Sequence, residues 1–310
     1  MTIRTKTQDQ NFSVAKKGNP VIRSVKSRSV RRGVVGTALT AVAALVLAAC
    51  GSGSSDTPAP AAAGGGTADV GVMQAGTLTV GMNLQFKPEM YLDEAGKPAG
   101  YDVDLLNKLA TELGLKLDIQ NLDFNGLIPG LQSKKFDMVS VGLTATDARK
   151  QVIDFSRGYV PYTSVLAVGQ NDNSPATVEA YNSSGKIITA LQGSSGEQLA
   201  KKTFPSASVK SFSEQNAALL EVATGRASGS VLEDYILAQY QKANPNQVKK
   251  AALPNPLDLS YGSWAVQKGN TALQQKLDAF LCKAQNDGSL GQLYNKDFGV
   301  TDFPAMPAGC

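Results

Sequence analysis

Short apolar segments alternate with segments of helical periodicity from residue 77 to residue 298. Each apolar segment is four to six residues long, which is typical of strands buried in a sheet. Strands are predicted at residues 78–81, 115–119, 136–141, 164–168, 186–190, 209–212 and 229–232. Helices are predicted at residues 102–113, from 127, from 193, at 216–224, at 273–287 and at 290–298. This alternation favours an α/β fold with a largely parallel sheet.

Polar residues follow two of the predicted strands. Glu233 and Asp234 come directly after residues 229–232, and a Gly/Ser segment with Ser194 and Ser195 follows the strand at 186–190. That segment opens a helix whose first N–H groups are free to bind an anion, although its spacing is not that of a P-loop. Ligands of open α/β sheets lie at the carboxyl ends of the strands, so we expect a site there.

The segment at residues 142–156, GLTATDARKQVIDFS, places Arg149 shortly after a Thr-rich turn. A guanidinium offers a rigid fork of donors that matches a carboxylate, and the Thr144 hydroxyl is a further donor on the same loop. This pattern predicts a carboxylate-binding arginine. The alternative is a surface ion pair of Arg149 with Asp147 or Asp154.

The first helix carries two acids in its opening turn, Asp102 and Asp104. Either can cap the helix by accepting from a free backbone N–H. A metal site is the alternative for the pair, but capping is the role that their position favours.

The N-terminal residues have the pattern of an export signal. Nine Lys or Arg and one acid precede an apolar run at residues 33–49, which ends in small residues directly before Cys50. The run is shorter than the roughly 20 residues of a membrane span, and small residues before a cysteine are typical of a lipoprotein cleavage box. An uncleaved anchor helix remains the alternative, and the Arg31-Arg32 pair leaves both twin-arginine and ordinary secretion open.

Charge and composition separate this leader from the rest of the chain. Residues 33–310 contain 21 basic and 25 acidic residues, whereas the whole chain has 30 and 26. The remaining basic residues are scattered, so no nucleic-acid partner is predicted. Residues 51–71 are mostly Gly, Ser, Ala and Pro, a composition typical of a flexible tether.

Cysteine and histidine content narrows the chemistry. If Cys50 carries lipid, Cys282 and Cys310 remain in an oxidising compartment, where either a disulfide between them or two free thiols is possible. The chain has no histidine, which excludes Ser-His-Asp and Cys-His catalysis and histidine-based metal sites. Neither a metal nor a cofactor is predicted.

Four segments together carry a family resemblance: GKPAGYDVDLLNKLA, LIPGLQSKKFDMVSVGLTATDARKQVIDFS, LQGSSGEQL and LDAFLCKAQNDGSLGQLYNKDFG. In this order they resemble the solute-binding proteins of the polar amino-acid uptake family, over residues 76–299. The resemblance implies a type II periplasmic-binding-protein fold, in which two α/β lobes joined by a two-stranded hinge close over an amino acid. It divides the chain into a signal peptide (1–49), a tether (50–75), lobe 1 (76–163 and 263–310) and lobe 2 (164–262).

The resemblance also implies the roles of individual residues. Arg149 would pair with the ligand α-carboxylate, and Glu233, or Asp234 beside it, with the α-ammonium. The carboxylate site would be completed by Thr144, the backbone of Gly142, Ser194 and Ser195.

Three residues of the first lobe match side-chain contacts of the family. Asn83 and Phe86 lie at the matching turn, and Phe124 matches an aromatic residue that packs on the ligand. For the two phenylalanines, plain core packing is the alternative. Because Asn83 is neutral, we expect a ligand with a neutral or polar side chain.

The predicted function is therefore that of an extracytoplasmic receptor, monomeric and anchored to the membrane through lipid on Cys50. It would capture an amino acid and deliver it to the permease of an ABC importer. One alternative is a sensory or adhesive lipoprotein that keeps the site without a transporter. The other is an enzyme such as a dehydratase on the same scaffold, with Glu233 as acid or base or Ser195 as nucleophile.

Overall fold

The structure, a computed structural model, describes residues 70–307 and Cys310. All of them belong to one compact unit of the chain, Gly64–Cys310. The export signal, Cys50 and most of the tether lie outside the described residues. Within them, no helix is both long and apolar enough to cross a membrane.

Twelve strands and eight α-helices follow one another in the described residues. The strands are β1 (Thr77–Met82), β2 (Gln85–Phe86), β3 (Met90–Leu92), β4 (Pro98–Ala99), β5 (Lys116–Asn121), β6 (Met138–Thr144), β7 (Ile153–Gly169), β8 (Ile187–Leu191), β9 (Ser208–Phe212), β10 (Gly229–Glu233), β11 (Val248–Lys250) and β12 (Asp258–Gln267). The helices are α1 (Tyr101–Leu113), α2 (Leu127–Gln132), α3 (Asp147–Lys150), α4 (Ser195–Thr203), α5 (Gln215–Ala223), α6 (Asp234–Ala243), α7 (Thr271–Asn286) and α8 (Ser289–Phe298).

The main sheet is mixed, with parallel strands on both sides of an antiparallel centre. Its order is β5-β1-β6-β12-β7-β10-β8-β9, and β11 pairs with the end of β7. The outer pairs β1–β5, β1–β6, β8–β9 and β8–β10 are parallel. The central pairs of β7 and β12, with each other and with their neighbours, are antiparallel. The predicted α/β class is confirmed.

Two long strands form the antiparallel centre. β7 has 17 residues and β12 has 10, and they pair from Asp258 opposite Ser164 to Gln267 opposite Ile153. The sequence pattern predicted only residues 164–168 of this pair, because partly exposed positions interrupt the apolar run elsewhere. The lobe boundaries expected at 163/164 and 262/263 fall within these two strands, and the two-stranded hinge stays a prediction.

Helices cover the sheet and close its core. In α1, Leu105, Leu106 and Leu109 are buried at helical spacing, as the periodicity predicts. Trp264 of β12 is fully buried among them, and its Nε1–H donates to the Ser140 hydroxyl at 2.8 Å. A second, smaller cluster around Phe204 packs on β8 and β10.

Asp102 does not cap α1, so that prediction is wrong. The helix follows Gly100 without a side-chain cap, and Asp104 instead pairs with Lys296 at 2.7 Å. Asp102 is fully buried, and its Oδ2 accepts from the Ser140 and Tyr159 hydroxyls, each at 2.6 Å. Burial raises the pKa of Asp102 to about 7, against the opposing effect of these two bonds.

The predicted Cys282–Cys310 disulfide is also not formed, since both cysteines are free. The Cys282 thiol lies beside that of Cys310, whose sulfur accepts from the Arg157 guanidinium. Desolvation, together with the neighbouring thiol, raises the pKa of Cys310.

The buried Asp102 should make stability fall as pH rises. Its pKa is 3.8 in an unperturbed chain and about 7 in the fold, so the folded protein holds this proton more tightly. This proton therefore contributes fully to the free energy of unfolding when the pH is below the unperturbed pKa. The contribution is lost as the pH rises through the pKa of the folded protein. We expect the Asp102→Asn variant to show a flatter pH dependence of the free energy of unfolding, measured with urea.

Asp118→Asn is the matched control, because Asp118 is exposed on β5 and its removal should leave the slope unchanged. Equal slopes for the wild type and Asp102→Asn would contradict this account of the buried acid.

Candidate functional site

A cavity opens at the carboxyl ends of β6, β8 and β10, the edge at which the sequence predicts a site. It is narrow, with a cavity volume of about 30 Å³, and it is partly open to solvent. Eight of the ten predicted ligand-site residues line it: Phe86, Phe124, Gly142, Thr144, Arg149, Ser194, Ser195 and Glu233. Asn83 and Asp234 do not.

Arg149 is the buried cation of this cavity. It lies on the short helix α3 after Thr146, whose hydroxyl accepts from the Arg149 N–H and begins the helix. Only 4% of the residue is exposed, and its Nη1 and Nη2 donate to the carbonyls of Thr144 (2.8 Å) and Gly193 (2.9 Å). Burial lowers the pKa of Arg149 to about 10, while Glu233 opposes this shift.

The surface ion pair proposed as an alternative for Arg149 is not present. Asp147 pairs with Lys150 at 3.7 Å, and Asp154 pairs with Lys268 at 2.6 Å. Within the described residues, no carboxylate forms a salt bridge with Arg149. A guanidinium removed from water therefore has carbonyl partners but lacks the bidentate anion that suits it best.

Of the two adjacent acids, only Glu233 lines the cavity. It is the last residue of β10 and lies at the start of α6. Burial raises the pKa of Glu233, and the charge of Arg149 opposes this shift. Asp234 is half-exposed and pairs with Lys250 at 3.1 Å outside the cavity.

The start of α4 lies opposite Arg149, but much of its hydrogen-bonding capacity is already used. The Ser194 hydroxyl accepts from the N–H of Glu197 and donates to the carbonyl of Leu191. Ser195 is freer, and its Oγ lies 3.3 Å from that of Thr144. We therefore regard Ser195, rather than Ser194, as the hydroxyl available to a ligand.

Gly142 must be a glycine for two reasons. Its φ of +56° is one that other residues rarely adopt, and an added Cβ would lie 1.5 Å from the Tyr162 hydroxyl. Its N–H donates to the Tyr159 hydroxyl at 3.1 Å, so that donor is not free for a carboxylate.

The side chain of Asn83 forms its hydrogen bonds outside the cavity. Its Nδ2 donates to the carbonyl of Leu122 at 2.8 Å, and its Oδ1 accepts from the Gln85 side chain at 2.5 Å. The neutral character of Asn83 therefore no longer indicates the character of the ligand. By contrast, Phe86 and Phe124 line the cavity and also pack against the core.

The sequence analysis missed three polar residues of the cavity, namely Tyr162, Gln215 and Tyr235. Gln215 begins α5 and is only 4% exposed, yet its Nε2 has no hydrogen-bond partner in the described chain. A buried donor without a partner is costly, so it indicates a place for a ligand acceptor. No local pattern distinguishes Gln215 from an ordinary polar residue at a helix start.

Several hydrogen bonds cross the cavity, from residues before β7 to residues after it. Arg149 reaches Gly193, Thr144 lies beside Ser195, and the Asn125 amide donates to Gln192 at 3.2 Å. The N–H of Gln215 also donates to Gln85 at 3.0 Å. The two sides of the cavity are thus held together in this structure.

The cavity lies between two sides of a mixed sheet. The chain belongs to the bacterial extracellular solute-binding proteins, family 3, whose sequence profile matches residues 78–300. A probable histidine-binding protein of Neisseria gonorrhoeae is 31% identical over 224 residues, which are 71% of this chain and 82% of that protein.

Two solved structures are similar in fold and sequence. An ancestral arginine-binding protein bound to arginine has a TM-score of 0.67 and 35% identity, covering 72% of this chain and 99% of that one. An ancestral amino acid-binding protein, described as a precursor of cyclohexadienyl dehydratase, has a TM-score of 0.65 and 32% identity. That match covers 72% of this chain and 95% of the ancestral protein.

Replacing Arg149 with Met should stabilise the ligand-free protein, because a buried charge without an anionic partner costs free energy. We expect a gain of about 1 kcal/mol in the free energy of unfolding, measured by denaturant titration, since sites built for function often reduce stability.

The control is Arg226→Met, which removes an exposed guanidinium paired with Glu221 and should change stability by no more than about 0.5 kcal/mol. A clear loss of stability in Arg149→Met alone would show that Arg149 is structural.

Proposed function

We propose that this protein binds an amino acid in the cavity and delivers it to the permease of an ABC importer. The observation that carries the proposal is that the buried Arg149 faces the same cavity as Glu233 but forms no salt bridge to a carboxylate of the described chain. One cation and one anion that share an enclosed site match the two charges of a zwitterion.

The carboxylate of the ligand would bind at Arg149. A bidentate carboxylate is a stronger acceptor for a guanidinium than the two carbonyls it now contacts. The unpaired Nε2 of Gln215 and the hydroxyls of Thr144 and Ser195 are further donors for the same anion. The ammonium of the ligand would pair with Glu233, rather than with the solvent-facing Asp234.

Closure would depend on the ligand because its partners lie on different sides of the sheet. Arg149 precedes β7 and Glu233 follows it, so both charges of a bound zwitterion are paired only when the two sides meet. We assign lobe 1 to residues 76–163 and 263–310 and lobe 2 to residues 164–262, with β7 and β12 as the hinge between them. A permease would then recognise the closed form.

The relatives support an amino acid as the ligand, since their names refer to histidine, to arginine and to amino acids. The family is extracellular, which agrees with the proposed export and with a lipid anchor at Cys50. We propose that the mature protein is monomeric and not an enzyme. The dehydratase precursor among the structural relatives is itself described as an amino acid-binding protein.

A thermal-shift screen of the protein against the twenty amino acids should give a clear hit. A ligand at about a hundred times its dissociation constant adds about 2.7 kcal/mol to the free energy of unfolding. The hit is then incubated with the protein and recovered. Unchanged ligand supports a receptor, whereas turnover would support the enzyme alternative, and no hit across the panel would contradict the proposed ligand class.

The site variants should separate the roles of the three charged residues. Arg149→Met should weaken binding of that ligand at least about 100-fold, because a carboxylate would lose a charged, buried partner. Glu233→Gln should weaken binding more than Asp234→Asn, since only Glu233 lines the cavity. Isothermal titration calorimetry measures all three, with Arg226→Met as the control. Unchanged affinity in Arg149→Met would refute the carboxylate site.

A further inference from the structure

A buried acid lies directly behind the wall of the cavity. Glu89 is fully buried, and its two carboxylate oxygens accept from the hydroxyls of Tyr162 and Tyr235, one each. In the described chain, no Lys or Arg forms a salt bridge with Glu89. The two tyrosine rings are stacked, with centroids 6.0 Å apart and an interplanar angle of 18°.

Both tyrosines belong to the cavity, whereas Glu89 does not line it. The Tyr162 hydroxyl also lies against Gly142, another residue of the cavity wall. A phenolic hydroxyl has one proton, and in each tyrosine this proton is donated to Glu89. The remaining capacity of the two oxygens is therefore to accept hydrogen bonds.

We propose that Glu89 keeps these two hydroxyl protons turned away from the cavity, so that the Tyr162/Tyr235 wall accepts from a positively charged N–H group and the ligand is an amino acid with net positive charge. Glu89 is thus a positioning residue, which acts on the ligand through the tyrosines. This inference rests on the proposed function and specifies the substrate class of the same site.

The charged residues of the site also favour a ligand with net positive charge. The carboxylate and ammonium of a zwitterion would be paired by Arg149 and Glu233, so neither is available to Glu89. A second cationic group on the ligand would stabilise the ionised form of Glu89, whereas a neutral side chain would not. The cavity should therefore bind a cationic side chain more tightly than a neutral one of similar shape.

Binding of a cation should also be linked to protons. Burial, reinforced by Asp102 of α1 and Glu233 of β10, raises the pKa of Glu89, and the hydroxyls of Tyr162 and Tyr235 oppose this shift. A bound cation would lower the pKa of Glu89 and so favour its ionised carboxylate. We therefore expect protons to be released when a cationic ligand binds.

This ligand class departs from the neutral or polar side chain expected from Asn83. The amide of Asn83 is bonded to Leu122 and Gln85, outside the cavity. Glu89 gave no signal in the sequence, because it lies between short strands without a helical or alternating pattern.

The test compares L-arginine with L-citrulline, which has a similar shape but a neutral side chain, by isothermal titration calorimetry. We expect the wild type to bind L-arginine at least about tenfold more tightly, the discrimination typical of a hydrogen bond to a charged group. In Glu89→Gln the preference for L-arginine should fall to about threefold or less, because a hydrogen bond that involves no charged group contributes less free energy. Titrations in two buffers of different ionisation enthalpy should show more protons released on binding of L-arginine by the wild type than by the variant.

Glu94→Gln is the matched control, because Glu94 is exposed between β3 and β4 and should leave the preference unchanged. If Glu89→Gln does not fold, Tyr235→Phe keeps the ring, removes one accepting oxygen and should lower the preference in the same way. If the variant that folds, Glu89→Gln or Tyr235→Phe, keeps the wild-type preference for L-arginine over L-citrulline, the proposal is overturned.

Two further outcomes distinguish this inference from the proposed function. If the wild type binds neutral amino acids but neither L-arginine nor L-lysine, the receptor stands and the cationic ligand class is overturned. If no amino acid binds, the proposed function fails, and the inference that rests on it fails too.

Discussion

The antiparallel pairing of β7 with β12 joins the two sides of the sheet and so positions Glu233 and Thr144 at the cavity. β10 pairs with β7 so that Glu233 lies opposite Ser164, and β6 pairs with β12 so that Thr144 lies opposite Gly262. The two strands therefore hold the carboxyl ends of the parallel strands on either side at one level. In the proposed function these two strands are the hinge, so small changes in them would open or close the cavity as a unit.

The charged residues at and behind the cavity are largely removed from water. In the described chain the guanidinium of Arg149 donates its hydrogen bonds to carbonyls, Glu233 has a raised pKa, and Glu89 accepts from two hydroxyls and forms no salt bridge with a cation. Each arrangement costs free energy in the absence of a ligand, and a ligand of complementary charge would recover part of that cost. In the proposed function, selectivity for the ligand comes from these incompletely paired groups.

Membership of the family does not itself name the ligand, because one fold hosts many sites and some relatives of binding proteins are enzymes. In this chain the absence of histidine removes the commonest catalytic arrangements. The choice among ligands then depends on the few polar side chains that face the cavity. Of these, Tyr162, Gln215 and Tyr235 have no counterpart in the sequence motifs that indicate the family.

The sequence by itself determined seven of the twelve described strands and six of the eight described helices, the sheet edge at which the cavity lies, and the roles proposed for Arg149 and Glu233. These features are encoded locally, since periodicity reports which face of an element is buried and strand ends report the edge of the sheet. Only the tertiary structure decided that Asp102 is a core residue, that Asn83 is bonded away from the cavity and that Glu89 lies behind the tyrosine pair. Those outcomes depend on contacts between residues 38 to 146 positions apart, which no local pattern records.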